Sequence, residues 1–275
     1  MGPVLYSLSV HSTYAQSIQE VPGAHGLAVI DDFNLICDRK NLVQAWHSLQ
    51  TNFDAERMPL NTSKCSVFWP GADDPPAQLV SDCKSIGVTL LSGFVVTVGC
   101  PIGPNTEMVQ DWISRRLAKQ NTFFERILDT SIPTQAARAM LRNCGLPRAD
   151  YISRTCAPPV AGPALRRFDS KCLESLAIRI SNPNLADDPA VLSQCHLPIR
   201  MGGLGMRSAS AANPVAFWAG AAQAVSSSYQ SGVALSAPTI LLDRPDVTKS
   251  WPTAISTLCA LALGLYQIVA PTSIL

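Results

Sequence analysis

Charge is scarce in this chain. Of its 275 residues only 15% are Asp, Glu, Lys or Arg, and they nearly cancel to a formal +1. That balance excludes both a strongly basic nucleic-acid coat and an acidic tail, so any electrostatic role falls to local patches. Nine cysteines occur, at 37, 65, 83, 100, 144, 156, 172, 195 and 259, yet no CxxC pair does. With an odd count and no basic start or continuous apolar core of a signal peptide ahead of them, they read as intracellular thiols of a nuclear or cytoplasmic, not secreted, protein. They do not read as a disulfide frame or a zinc site. Internal repeats and low-complexity tracts are missing too. What is present is a 47% hydrophobic fraction, enough for one sizeable core or two modest ones.

The segment 251–275 holds no charged residue, and 253–270 (TAISTLCALALGLYQIVA) approaches the length of a membrane span. Its Ala, Thr and Ser content and its lack of a basic flank favour a buried C-terminal helix, and no membrane partner is expected. At the other end, GPVLYSLSVHSTYAQSI starts a helix with Pro3 in its first turn. Further on, Leu42, Val43, Trp46, Leu49 and Phe53 fall at helical spacing and give one apolar face. KCSVFW (64–69) and GFVVTVGC (93–100) have strand composition, and PPAQLVSDCKSIG between them reads as a helix opened by proline. The order up to Pro104 is therefore helix, hairpin, helix, strand, helix, strand. Beyond it, 106–128, 133–144 and 163–181 read as a helical array.

In GLAVIDDFNLIC (26–37) two short apolar runs are separated only by Asp31 and Asp32, the layout of a tight hairpin with its acids at the turn. Such a pair commonly serves local backbone hydrogen bonding. The alternative is that a divalent cation neutralises two like charges held side by side, since hard carboxylate oxygens suit Mg²⁺ or Mn²⁺. Other features read as structural. MGGLG (201–205) fits neither phosphate-binding glycine pattern and reads as a tight turn, and Asn213 with Pro214 reads as a helix cap and first turn. Cys195 and His196 are adjacent in sequence, which seldom gives a working nucleophile and base, and His11, His25 and His47 are isolated.

The order of motifs resembles the reverse transcriptase domain of non-LTR-type retroelements, from within the palm to the region beyond the thumb. GPVLYSLSVHSTY (2–14) is similar to the end of the template-contacting loop and the helix after it, and AVIDDFNLIC to the catalytic hairpin. MPLNTSKCSVF (58–68) resembles the next segment, and GCPIG, that is Gly99, Cys100, Pro101, Ile102 and Gly103, the hairpin that grips the primer end. LRNCGLPRADYISRTCAPP (141–159) and LPIRMGGLGMRSAS (197–210) resemble stretches that follow the thumb in a subset of these elements. The resemblance implies nucleotidyl transfer with two metal ions, Mg²⁺ or Mn²⁺, on an RNA template and DNA primer with a dNTP. Asp31 would be the principal metal ligand, Asp32 a secondary one, and Lys64 would approach the nucleotide phosphates. Residues 105–180 hold twelve Lys and Arg against seven acids, ten of the twelve being Arg, so Arg115 and Arg116 are expected to track a duplex backbone.

Two departures matter. Val29 stands where the family usually has an aromatic residue, and the further aspartate and fingers that the family places upstream would lie before Met1. Glu20, Asp73 and Asp74 match no motif that would compensate. The expectation is an α+β fragment: part of a polymerase palm over 1–104, a helical thumb over 105–160 and a helical C-terminal region over 161–275. Alone it should be inactive, and prone to aggregate through an uncovered sheet edge. A non-catalytic nucleic-acid-binding or interaction module derived from a retroelement is the alternative.

Overall fold

The computed structural model describes residues 2–29, 32–71 and 73–230. Asp31 and the apolar segment 253–270 both lie outside the described residues. The fold is mixed helix and strand, an α+β class, and it divides into two compact units, Met1–Val109 and Gln110–Leu275.

The first unit opens with α1 (Gly2–Gln19), followed by the antiparallel pair β1 (His25–Val29) and β2 (Asp32–Ile36). Strand alternation sends Gly26, Ala28, Phe33 and Leu35 to one face, and that face lies on α1. Phe33 stacks on Tyr14 with ring centroids 4.1 Å apart, and Tyr14 meets Phe53 at 5.2 Å. Gly26 suits this approach, because a Cβ there would meet the end of the Ile18 side chain, which would have to shift. Phe53 comes from α2 (Leu42–Ala55), whose apolar stripe serves two cores. Phe53 joins Val10 and Tyr14, while Trp46 joins Ile86 and Val88.

The second of these cores is built on a strand–helix–strand unit, β3 (Ser66–Trp69), α3 (Ala77–Ile86) and β4 (Thr89–Ser92), with β3 and β4 parallel. The four-residue β4 is too short to show alternation in sequence, and its neighbour departs from the single strand expected over 93–100. That stretch folds back as β5 (Val95–Thr97) and β6 (Cys100–Ile102), because Val98 (φ 49°) and Gly99 (φ 72°) both turn left-handed. Two central residues with positive φ are what a tight hairpin turn matching strand twist requires.

The helix α4 (Thr106–Ala118) spans the division, and the second unit is helical throughout its described residues: α5 (Asn121–Ile127), α6 (Thr134–Met140), α7 (Asp150–Thr155), α8 (Pro158–Arg179), α9 (Pro189–His196) and α10 (Ala209–Gln230). Its centre is α8, which buries Ala161, Leu165, Phe168, Cys172 and Leu176 along one stripe. This helix begins five residues before the expected start and runs through Pro163. Proline removes the bond that position would give to Pro159, and Gln110 Nε2 donates to that carbonyl instead at 3.5 Å.

Asn213 is a second correction. It is not a helix cap but a fully buried residue inside α10, whose Nδ2 donates to the Ser153 and Cys156 carbonyls at 2.9 and 3.1 Å, closing the end of α7. The start of α10 is capped by Asp169 of α8, which accepts from the Ala209 and Ser210 amides and the Ser208 and Ser210 hydroxyls at 2.7–2.9 Å. The glycines of MGGLG form a turn, with Gly203 pressed so close to the Leu197 carbonyl that no side chain fits. Gly205 and Met206 then donate back to the Leu197 and Cys195 carbonyls at 2.9 Å.

Candidate active site

Because Phe33 and Leu35 turn toward α1, Asp32 and Asn34 occupy the opposite face of the β1–β2 hairpin, together with His25, Leu27, Val29 and Ile36. Asp32 is the first residue of β2 and pairs with Val29. Its carboxylate is exposed, and among the described residues no Lys or Arg lies within ion-pair distance of it.

A second motif meets this face. Thr97 Oγ1 of β5 donates to Asn34 Oδ1 at 2.9 Å, across 63 residues of sequence. Thr97 precedes the Val98–Gly99 tip, so the tip of the β5–β6 hairpin lies beside the strand that carries Asp32, roughly 7 Å from Asn34 along that strand. Of the residues expected to grip a primer end, Gly99 makes the tip and Cys100, Pro101 and Ile102 form β6, with Pro101 buried and Ile102 exposed. Gly103 closes the hairpin base against Gly93 and Phe94, where any Cβ would collide with backbone. The β1–β2 hairpin is expected from its residues, whereas 93–100 is expected as one strand and a hairpin at 99–103 only by resemblance, and the contact that joins the two hairpins is missed.

The remaining candidates are more dispersed. Lys64 ends the 3-10 turn Thr62–Lys64 that leads into β3, and is exposed. Asp73 and Asp74 line an open groove of about 380 Å³ with Ser92, Gly93, Pro104 and Asn105. That is the base of the β5–β6 hairpin, the end away from Asn34, so these acids do not join Asp32. Glu20 is committed to the fold: Ser48 and Asn52 of α2 donate to it at 2.5 and 3.1 Å and Gln16 at 3.0 Å, and those bonds, Ser48's first, hold its carboxyl below its ordinary 4.5. Among the described residues no three His, Cys, Asp or Glu come together as a metal site.

In the second unit, Arg115 pairs with Asp111 at 2.8 Å, while Arg116 is exposed and carries no ion pair among the described residues. The arginine excess is largely structural. Arg179 donates to the carbonyls of Leu128, Asp129 and Ile132, closing the end of α5. Arg148 lies over the Phe123 ring at 4.5 Å and bonds the Cys144 carbonyl, Arg167 bonds Ser114, and Arg154 bonds Gln223. Among the described residues Arg116, Arg126, Arg142 and Arg166 have no side-chain hydrogen-bond or ion-pair partner. No helix of the described residues is long and apolar enough to cross a membrane.

Compared with family models, curated proteins and solved structures, the chain matches none of them.

Proposed function

We propose that this chain is part of an RNA-directed DNA polymerase of the reverse transcriptase kind, comprising the later palm and the thumb, with Asp31 and Asp32 as metal-binding carboxylates. The observation that supports this reading is the meeting of the two hairpins, which sets the tip at Val98 and Gly99 beside the face of β2 that carries the exposed Asp32. Exposed carboxylate oxygens without a cationic partner fit a hard divalent cation such as Mg²⁺ or Mn²⁺. Such ions, when bound, stabilise the attacking and leaving oxygens of an in-line phosphoryl displacement.

The chain's own part would be positional. Asp31 and Asp32 would hold the metal from the end of the β1–β2 hairpin, the Val98–Gly99 tip would bear on the primer terminus, and Lys64 would face the nucleotide phosphates. Arg116, with Arg115 once it leaves Asp111, would follow the duplex backbone. The reading calls for at least one oxygen ligand more than the hairpin supplies.

Primer extension on an RNA template with Mg²⁺ tests it, run on this chain and on the chain extended upstream through its reading frame. The short chain should be inactive and the extended one active, and Asp31→Asn should lower the extended chain's rate by about a thousandfold or more, the scale of a lost charge-stabilising group. Synthesis that survives Asp31→Asn and Asp32→Asn together would reject the assignment.

A further inference from the structure

We propose that Thr97 is a positioning residue, whose hydroxyl seats the tip of the β5–β6 hairpin against the strand face that carries Asp32. The seat is argued from the geometry of the first unit, and only its consequence for a nucleic-acid end rests on the polymerase reading above.

Three observations converge on it. Thr97 Oγ1 and Asn34 Oδ1 are 2.9 Å apart and partly buried, so the bond is shielded from competing water. Asn34 sits two residues beyond Asp32 on the same face, so whatever fixes Asn34 to the tip also fixes the tip to the carboxylate. Finally, the tip resists its own shape. Val98 adopts φ 49°, a left-handed conformation that a β-branched residue disfavours, in a hairpin of three paired residues on each side. A conformation of that kind persists where its surroundings over-determine it. Thr97, which pairs with Cys100 directly across the turn, is placed to be that constraint.

The ligand this arrangement suits is the recessed 3′ end of a duplex, gripped by the tip while the carboxylate side holds the ion. Thr97→Val keeps the shape and deletes the hydroxyl, and Thr97→Ser keeps the hydroxyl, so the pair isolates the bond. Amide hydrogen exchange over 95–102 should quicken about fivefold in T97V, the scale of one lost neutral hydrogen bond, and return in T97S. The wild-type chain should bind a recessed RNA/DNA duplex more tightly than a blunt one, and T97V should lose about fivefold of that preference while binding the blunt duplex equally well.

Unchanged exchange in T97V, or a change that T97S does not reverse, overturns the seat. If exchange responds as expected but the wild type never distinguishes recessed from blunt ends and Mn²⁺ broadens no amide near Asp32, the seat stands and the polymerase reading falls. If ends are distinguished and Mn²⁺ binds while T97V changes neither exchange nor preference, the seat falls and the reading stands.

Discussion

Cys144 and Cys172 lie less than thirty residues apart and are chemically far apart. Cys144 is exposed on the turn after α6, whereas Cys172 is buried in the stripe of α8. Desolvation first, and then the charge of Asp169, pushes the Cys172 thiol up from 9.0 to about 12. At pH 8 its thiolate population is thus about a thousandfold below that of an ordinary thiol, before access is considered. Alkylation with iodoacetamide followed by peptide mass mapping should modify Cys144 first and leave Cys172 intact until the unit unfolds. Early modification of Cys172 would mean that α8 is not packed as described. Glu20 is the acidic counterpart. Its lowered folded-state value contributes stability that is present above 4.5 and is lost as pH falls through that lower value, so its ties between α1 and α2 loosen in acid.

At the scale of elements, three helices end the same way with different residues. After α3, Gly87 (φ 70°) turns left-handed while Gly87 and Val88 donate to the Lys84 and Cys83 carbonyls. After α2, Arg57 (φ 58°) does the same with Met58 donating to Phe53, and after α8, Ser181 (φ 54°) with Asn182 donating to Ala177. This double bond past a left-handed residue is the usual helix stop, and glycine is the residue that adopts it without a steric cost. Arg57→Gly should therefore stabilise the first unit by about 1 kcal/mol, read as a higher urea midpoint with unchanged slope. A lower midpoint would show that Arg57 contributes something its backbone does not. These stops also mark what was legible in sequence. The Gly-ended helix and the periodic α2 could be read directly. The π-helical turn Leu141–Gly145 and the proline-containing starts of α8 and α10 could not; in α8 the distant Gln110 takes the carbonyl that Pro163 leaves without its helical donor.

For the molecule as a whole, the hairpin outer face has the greatest consequence. Leu27 and Ile36 are 60% and 67% exposed there, on a two-stranded sheet whose edges no other described strand covers. Open strand edges beside apolar side chains invite pairing between chains. The chain should associate with concentration in sedimentation velocity, and Leu27→Lys with Ile36→Lys should shift it toward monomer. Equal association in the double variant would place the sticky surface elsewhere. The same face explains which part of the site could be read in advance. Asp31 and Asp32 stood out because charge is rare among apolar strands. Asn34 and Thr97 did not, since two uncharged residues 63 positions apart leave no period or spacing to detect.

The carboxylate of Asp169 at the start of α10 bears on how the chain is made. It lies 40 and 41 positions ahead of the amides it holds. During synthesis the holder leaves the ribosome before the helix it anchors. The last described helix thus finds its starting point already in place, and a chain whose α8 has failed to settle has nothing to fasten α10 to.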